Sequence, residues 1–131
     1  MNTREVTQAN FEATVSQGIV LLDWWAAWCG PCRAFGPVFE SAAAANPDIV
    51  FGKVNTEVEQ DLAQSYQIQA IPMLMAFRDG ILLYASPGAL SAPQLTELVA
   101  KVRELDMEEV RKEIAEAEAN QGGDGAANLE A

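Results

Sequence analysis

Ile19-Val20-Leu21-Leu22-Asp23-Trp24-Trp25-Ala26-Ala27-Trp28-Cys29-Gly30-Pro31-Cys32-Arg33 is the stretch on which the reading of this chain turns. Residues 19–25 form a nearly continuous apolar run of strand length, the pattern of a strand covered on both faces. Residues 31–45 read as a helix. Pro31 suits its first turn, where no amide hydrogen is needed, and Pro37 should kink it by removing a donor. Cys29 and Cys32 stand at the junction between strand and helix, and they are the only cysteines in 131 residues. Two thiols this close can lose and regain two electrons as a disulfide, so thiol–disulfide chemistry is the first expectation.

Two other uses of the pair are weaker. Structural zinc wants four ligands, usually Cys and His, and this chain has no His and no third Cys. A purely structural disulfide across so short a loop removes little entropy from the unfolded chain. Asp23 is the second telling residue of the stretch. A carboxylate within an apolar strand loses hydration, so its pKa should rise and let it hold or pass a proton near neutral pH. Backbone donors or an edge position would be the alternatives.

Working outward, residues 7–17 suggest a helix with Phe11 and Val15 on one face, ended by Gly18. Residues 49–54 are a second strand and 57–66 a short helix. Strands 73–78 and 81–86 are separated by Asp79-Gly80, a strong hairpin signal. Ser91 looks like an N-cap, followed by a helix with Leu95, Leu98, Val99 and Val102 on one face. Helix and strand alternate, and then a hairpin follows. That order predicts an α/β domain with a central mixed β-sheet and helices on both faces.

Residues 1–105 make this domain. Residues 106–119 read as an acidic helical extension: Asp106 can cap it, Glu109 stands three residues on, and Met107, Val110 and Ile114 form a narrow apolar stripe. Residues 120–131 lack periodicity and read as a disordered tail. The net charge is −11, of which residues 104–131 carry −7 and residues 1–103 only −4. That balance argues against a nucleic-acid partner, which needs a basic face. No run approaches the roughly 20 apolar residues of a membrane helix. No signal peptide is visible, so a cytoplasmic location is expected.

Trp25-Ala26-Ala27-Trp28-Cys29-Gly30-Pro31-Cys32-Arg33 closely resembles the active-site segment of the thioredoxins. Asp23, Pro37, Lys53, Ile71-Pro72, Asp79-Gly80 and Gly88 match that family at the right places, over roughly residues 3–103. The resemblance implies a thioredoxin fold, with an extra C-terminal helix here, and protein-disulfide reductase activity serving cell redox homeostasis. It implies a cis Ile71–Pro72 bond beside the disulfide. Cys29 would be the exposed attacking thiol at the helix start, and Cys32 the inward resolving thiol. Asp23 would accept the proton of Cys32, and Lys53 would tune Asp23. Gly30 and Pro31 would hold the sulfurs within reach. Trp28 would lie at the site edge, over Trp25. Ile71, Pro72 and Gly88 would line a groove for an extended substrate segment.

No bound cofactor is implied. Reducing equivalents would come from a thioredoxin reductase, and the other partners would be disulfide-containing proteins. Met73 departs from the family, which usually has threonine there. It either packs or alters substrate contact and potential, and packing is the simpler reading. The 104–131 extension also departs from the family. It leaves open self-association or partner docking, as an interaction module would use, and an isomerase or oxidant role is a third possibility.

Overall fold

A computed structural model describes the backbone of residues 2–130 and the side chains of residues 2–120. Five strands form one sheet in the order β1-β3-β2-β4-β5. They are β1 (Arg4–Glu5), β2 (Ile19–Trp25), β3 (Val50–Asn55), β4 (Met73–Arg78) and β5 (Ile81–Pro87). The first three run parallel to one another. β4 is antiparallel to β2, and β5 is antiparallel to β4. The alternation of strand and helix and the Asp79-Gly80 hairpin are thus both realised. Asp79 and Gly80 have φ values of 53° and 82°, the left-handed geometry that a tight hairpin turn demands.

The apolar run of β2 is central. Its even residues Val20, Leu22 and Trp24 face a core with Phe11 and Val15 of α1 (Phe11–Val15) and Leu62 and Ala63 of α3 (Gln60–Ser65). Leu21 faces the opposite core, with Phe35, Phe39 and Ala43 of α2 (Gly30–Ala45) and Leu95, Val99 and Val102 of α4 (Ala92–Glu104). The period of two along a strand puts Asp23 on this second face. On α2, Cys32, Phe35, Phe39 and Ala43 are the buried stripe, at helical spacing. Cys32 and Asp23 therefore belong to the same sandwiched layer.

α2 runs unbroken through Pro37. Ser91 caps α4 with a full capping box: its hydroxyl accepts from the Gln94 N–H, and the Gln94 side chain accepts from the Ser91 N–H. Asp106 opens α5 by accepting from the N–H groups of Glu108 and Glu109. At this join Arg78 of β4 donates through Nη1 to the carbonyls of Val102, Arg103 and Leu105, at 2.9, 3.3 and 3.0 Å. These groups would otherwise be the orphan acceptors of the α4 C-terminus.

Several boundaries differ from the sequence reading. α1 is shorter than 7–17 because Thr7–Asn10 closes a turn of its own, in which the Asn10 side chain accepts from the Thr7 N–H. α3 starts later than 57 because the Asn55 side chain holds the Glu57 N–H in a turn. β1, the exposed pair Arg4–Glu5, carries no strand signal of its own. α5 spans Met107–Glu130, past the 119 at which the helical extension was expected to stop. The side chains of the 120–131 tail, beyond 120 itself, lie outside the described residues.

Gly52 marks the closest approach in the sheet. A Cβ there would meet Val6 Cγ2 at 2.5 Å and Leu22 Cδ2 at 2.9 Å, and both neighbours are fully buried. Gly52→Ala should therefore cost about 1–3 kcal/mol by overpacking, read as a lower urea midpoint with an unchanged slope. An unchanged midpoint would show that Val6 and Leu22 can give way.

Candidate active site

The C-terminal end of β2 delivers the redox loop. Cys29 is the N-cap of α2, in extended geometry, and its Sγ accepts from the Cys32 N–H at 3.2 Å. A sulfur in this position receives a helix-terminal amide and the positive end of the helix dipole, so the thiolate form is favoured there. Cys29 and Cys32 are joined as a disulfide with a Cα–Cα distance of 5.2 Å, well inside the range that permits one. Gly30 and Pro31 are the exposed first residues of the helix between them.

The expected contrast in exposure between the two sulfurs is corrected. Cys29 is 5% exposed and Cys32 4%, because Ala26, Trp25 and Ile71 close over both. What separates them is position: Cys29 is the cap and Cys32 lies within the buried stripe of the first turn. Trp28 is 66% exposed at the rim. The Ile71–Pro72 bond is cis. The Ile71 carbonyl oxygen lies 3.8 Å from Cys29 Sγ, and the Pro72 carbonyl accepts from the Gly88 N–H at 2.8 Å. Gly88 has a φ of 101° and open space where a Cβ would stand. The tip of β5 is thereby pinned to the loop that faces Cys29.

Asp23 is fully buried, and neither carboxylate oxygen has a hydrogen-bond partner. Burial raises its pKa from 3.8 to about 7, while the charge of Lys53, its register partner on β3, pulls the other way. Among the described residues the two form no direct ion pair. Lys53 Nζ lies 4.9 Å from the centre of the Trp25 ring instead, a cation–π distance. Met73 is half-buried and packs on the opposite core, with the cluster of Trp24 and Tyr66. Its strand neighbours are Trp24 and Pro87.

Thr56 was not singled out from the sequence. Its N–H and hydroxyl both donate to the Trp25 carbonyl, at 2.9 and 3.0 Å, and so hold the start of the redox loop. A hydroxyl residue just past a strand end was the available signal. Among the described residues no group of three or more His, Cys, Asp or Glu is placed to hold a metal ion. No described helix is long and apolar enough to cross a membrane.

The thioredoxin family model matches residues 2–104. The chain belongs to the thioredoxin family. A Streptomyces coelicolor relative that carries the name thioredoxin 2 is 52% identical over 122 residues, covering 92% of this chain and 91% of its own. The Pseudomonas aeruginosa thioredoxin is 41% identical over 93 residues, covering 69% and 86%. Among solved structures, a mutant thioredoxin from Halobacterium salinarum superposes with a TM-score of 0.73 at 30% identity, covering 80% of this chain and 95% of its own. As a thioredoxin, the chain is an oxidoreductase that works by dithiol–disulfide exchange through Cys29 and Cys32. Thioredoxins need no bound cofactor, and in general they act on disulfide substrates and are served by a reductase.

Proposed function

We propose that this thioredoxin is a cytoplasmic reductant of protein disulfides, recharged by a thioredoxin reductase, in which Asp23 serves the resolving step. Cys29 thiolate attacks a substrate disulfide, forming a mixed disulfide and expelling one substrate thiolate. Cys32 gives its proton to Asp23. The resulting thiolate attacks the Cys29 sulfur, re-forms the Cys29–Cys32 bond and releases the second substrate thiolate. Two electrons pass from the dithiol to the substrate, and the reductase returns two. A cytoplasmic setting supplies the reducing conditions this cycle needs.

The observation that carries this reading is the unpartnered, fully buried carboxyl of Asp23 in the layer that holds Cys32. An ionised group there is costly, so it prefers to take a proton, and its value of about 7 suits exchange at neutral pH. Lys53 moderates the rise and keeps the group within the working range. Trp28, Ile71, Pro72 and Gly88 form the surface on which an extended substrate segment lies. Met73 supports that surface from the opposite core by packing.

Residues 1–105 are the catalytic domain and 106–119 an appendage. The Streptomyces match covers 92% of this chain, so it runs past the family model's end at 104. By contrast, 96 residues account for 94% of the Chlamydia pneumoniae thioredoxin.

The test is the resolving step itself, followed by stopped flow from a preformed mixed disulfide. In the native protein its rate should rise with pH through about 7, as Asp23 ionises. In Asp23→Asn that limb should vanish, and the rate at pH 7 should fall on the order of a hundredfold. A variant with the native rate and pH limb would remove Asp23 from the mechanism.

A further inference from the structure

Lys53 stands among three carboxylates and, among the described residues, forms an ion pair with none of them. Its register partners are Asp23 on β2 and Glu5 on β1, and α2 brings Glu40. Arg4 and Glu59 complete the charges around it, at the rim of a cavity that Lys53 lines with Thr3, Glu5 and Trp25. The ammonium rests over the Trp25 ring and against α2. A Cβ on Gly36 would stand 4.0 Å from Lys53 Nζ, so the missing side chain there makes room for the cation. Glu40 follows Gly36 one turn on, along the same helix face. Side chains of a helix lean toward its N-terminus, so the Glu40 side chain leans back toward Gly36. Lys53 accordingly acts electrostatically on both Glu40 and Asp23.

Glu40 is held where it stands. Its two oxygens accept from the Asn2 N–H at 2.7 Å and from the Thr3 hydroxyl at 2.8 Å. Those bonds hold its carboxyl below the usual carboxylate range, so it stays ionised throughout the window in which Asp23 titrates. Glu5 is exposed, and among the described residues no such tether holds its carboxylate. A lysine has one charge to place. Drawn toward a fixed anion on α2, the ammonium keeps its distance from Asp23. Paired with Asp23, it would hold that carboxyl ionised, with no call to accept the Cys32 proton.

We infer that Glu40, tethered by Asn2 and Thr3, is a positioning residue that draws the Lys53 ammonium toward α2 and so leaves the Asp23 carboxyl unpaired for the resolving step. The inference rests on the role of Asp23 proposed above. Its test uses the full chain in the oxidised state, with the Asp23 carboxyl carbon followed by NMR across pH. That signal reports the titration of Asp23 without any turnover. The pH limb of the resolving rate is measured beside it, by stopped flow from a preformed mixed disulfide.

Glu40→Gln keeps the shape of the side chain and removes its charge, so the released ammonium should turn to Asp23. A nearby cation favours the ionised carboxyl, and the Asp23 midpoint should fall by about one pH unit, taking the rate limb with it. Glu40→Asp keeps the charge and should restore most of the difference. In a Lys53→Met background the Glu40→Gln change should lose most of its effect, the mark of an action that passes through Lys53. Glu40→Ala carries the same test if the Gln variant folds poorly. A midpoint that neither variant moves would overturn the inference while leaving the reductase intact, as would an equal fall in the Lys53→Met background. A midpoint that falls while the rate limb stays in place would instead remove Asp23 from the resolving step, and the role of Glu40 in it.

Discussion

Cys29→Ser is expected to lose all catalysis of insulin-disulfide reduction, leaving only the rate of the chemical reductant. A serine hydroxyl does not ionise at neutral pH even as the N-cap of α2, and no disulfide can form through oxygen. Cys32→Ser should behave differently although the two sulfurs are almost equally buried. Its Cys29 still attacks, but nothing resolves the product, so each molecule stops after one event. It should accumulate as a mixed disulfide, seen as a mass increase that dithiothreitol reverses. Turnover by the Cys29 variant would sink the assignment of the attacking sulfur. Mixed disulfides formed through position 32 in that variant would exchange the two roles.

Asp23→Asn should make the oxidised protein more stable at pH 8 by about 4 kcal/mol, from a rise of roughly three pKa units at ~1.4 kcal/mol each. The folded value is about 7 against 3.8 ordinarily. Between these two values the folded state holds a proton that the unfolded state has lost. Native stability therefore falls as pH rises through that window, and the full cost is present above about 7. Asparagine carries no such cost. The two proteins should converge near pH 3.5 and diverge toward pH 8. Urea unfolding across that range measures the gap, and parallel pH curves would show that the carboxyl is relieved by some group other than Lys53. Under the proposed mechanism the variant that gains stability is also expected to resolve slowly, a trade of stability against function.

Much of this was legible because strong local signals agreed with the global fold. The run 19–25 appears as β2 without a residue's change, and the Asp79-Gly80 hairpin and the Ser91 cap hold as read. The motif named the reacting pair of sulfurs, and resemblance supplied the cis Ile71–Pro72 bond. β1 escaped because two exposed residues, Arg4 and Glu5, show no period. They become a strand only by pairing with Gly52 and Lys53, 48 positions on. The burial of Cys29 escaped because part of its cover is Ile71, a non-local neighbour that no helix-start signal encodes. Thr56 escaped because its partner, the Trp25 carbonyl, is a backbone atom, and backbone atoms are invisible in a side-chain pattern.

The three carbonyls gathered by Arg78 matter to anyone building on the C-terminal side of this protein. Arg103, one of those three residues, also grips Asp48 and Asn46 through its guanidinium, and Met107 is buried just beyond. The passage from α4 to α5 is therefore a braced corner and not a swivel. A dye attached in the last turn of α4 inherits a fixed heading relative to the dithiol. Distance measurements from such a dye to a labelled substrate would report where the substrate lies, not how the label wanders.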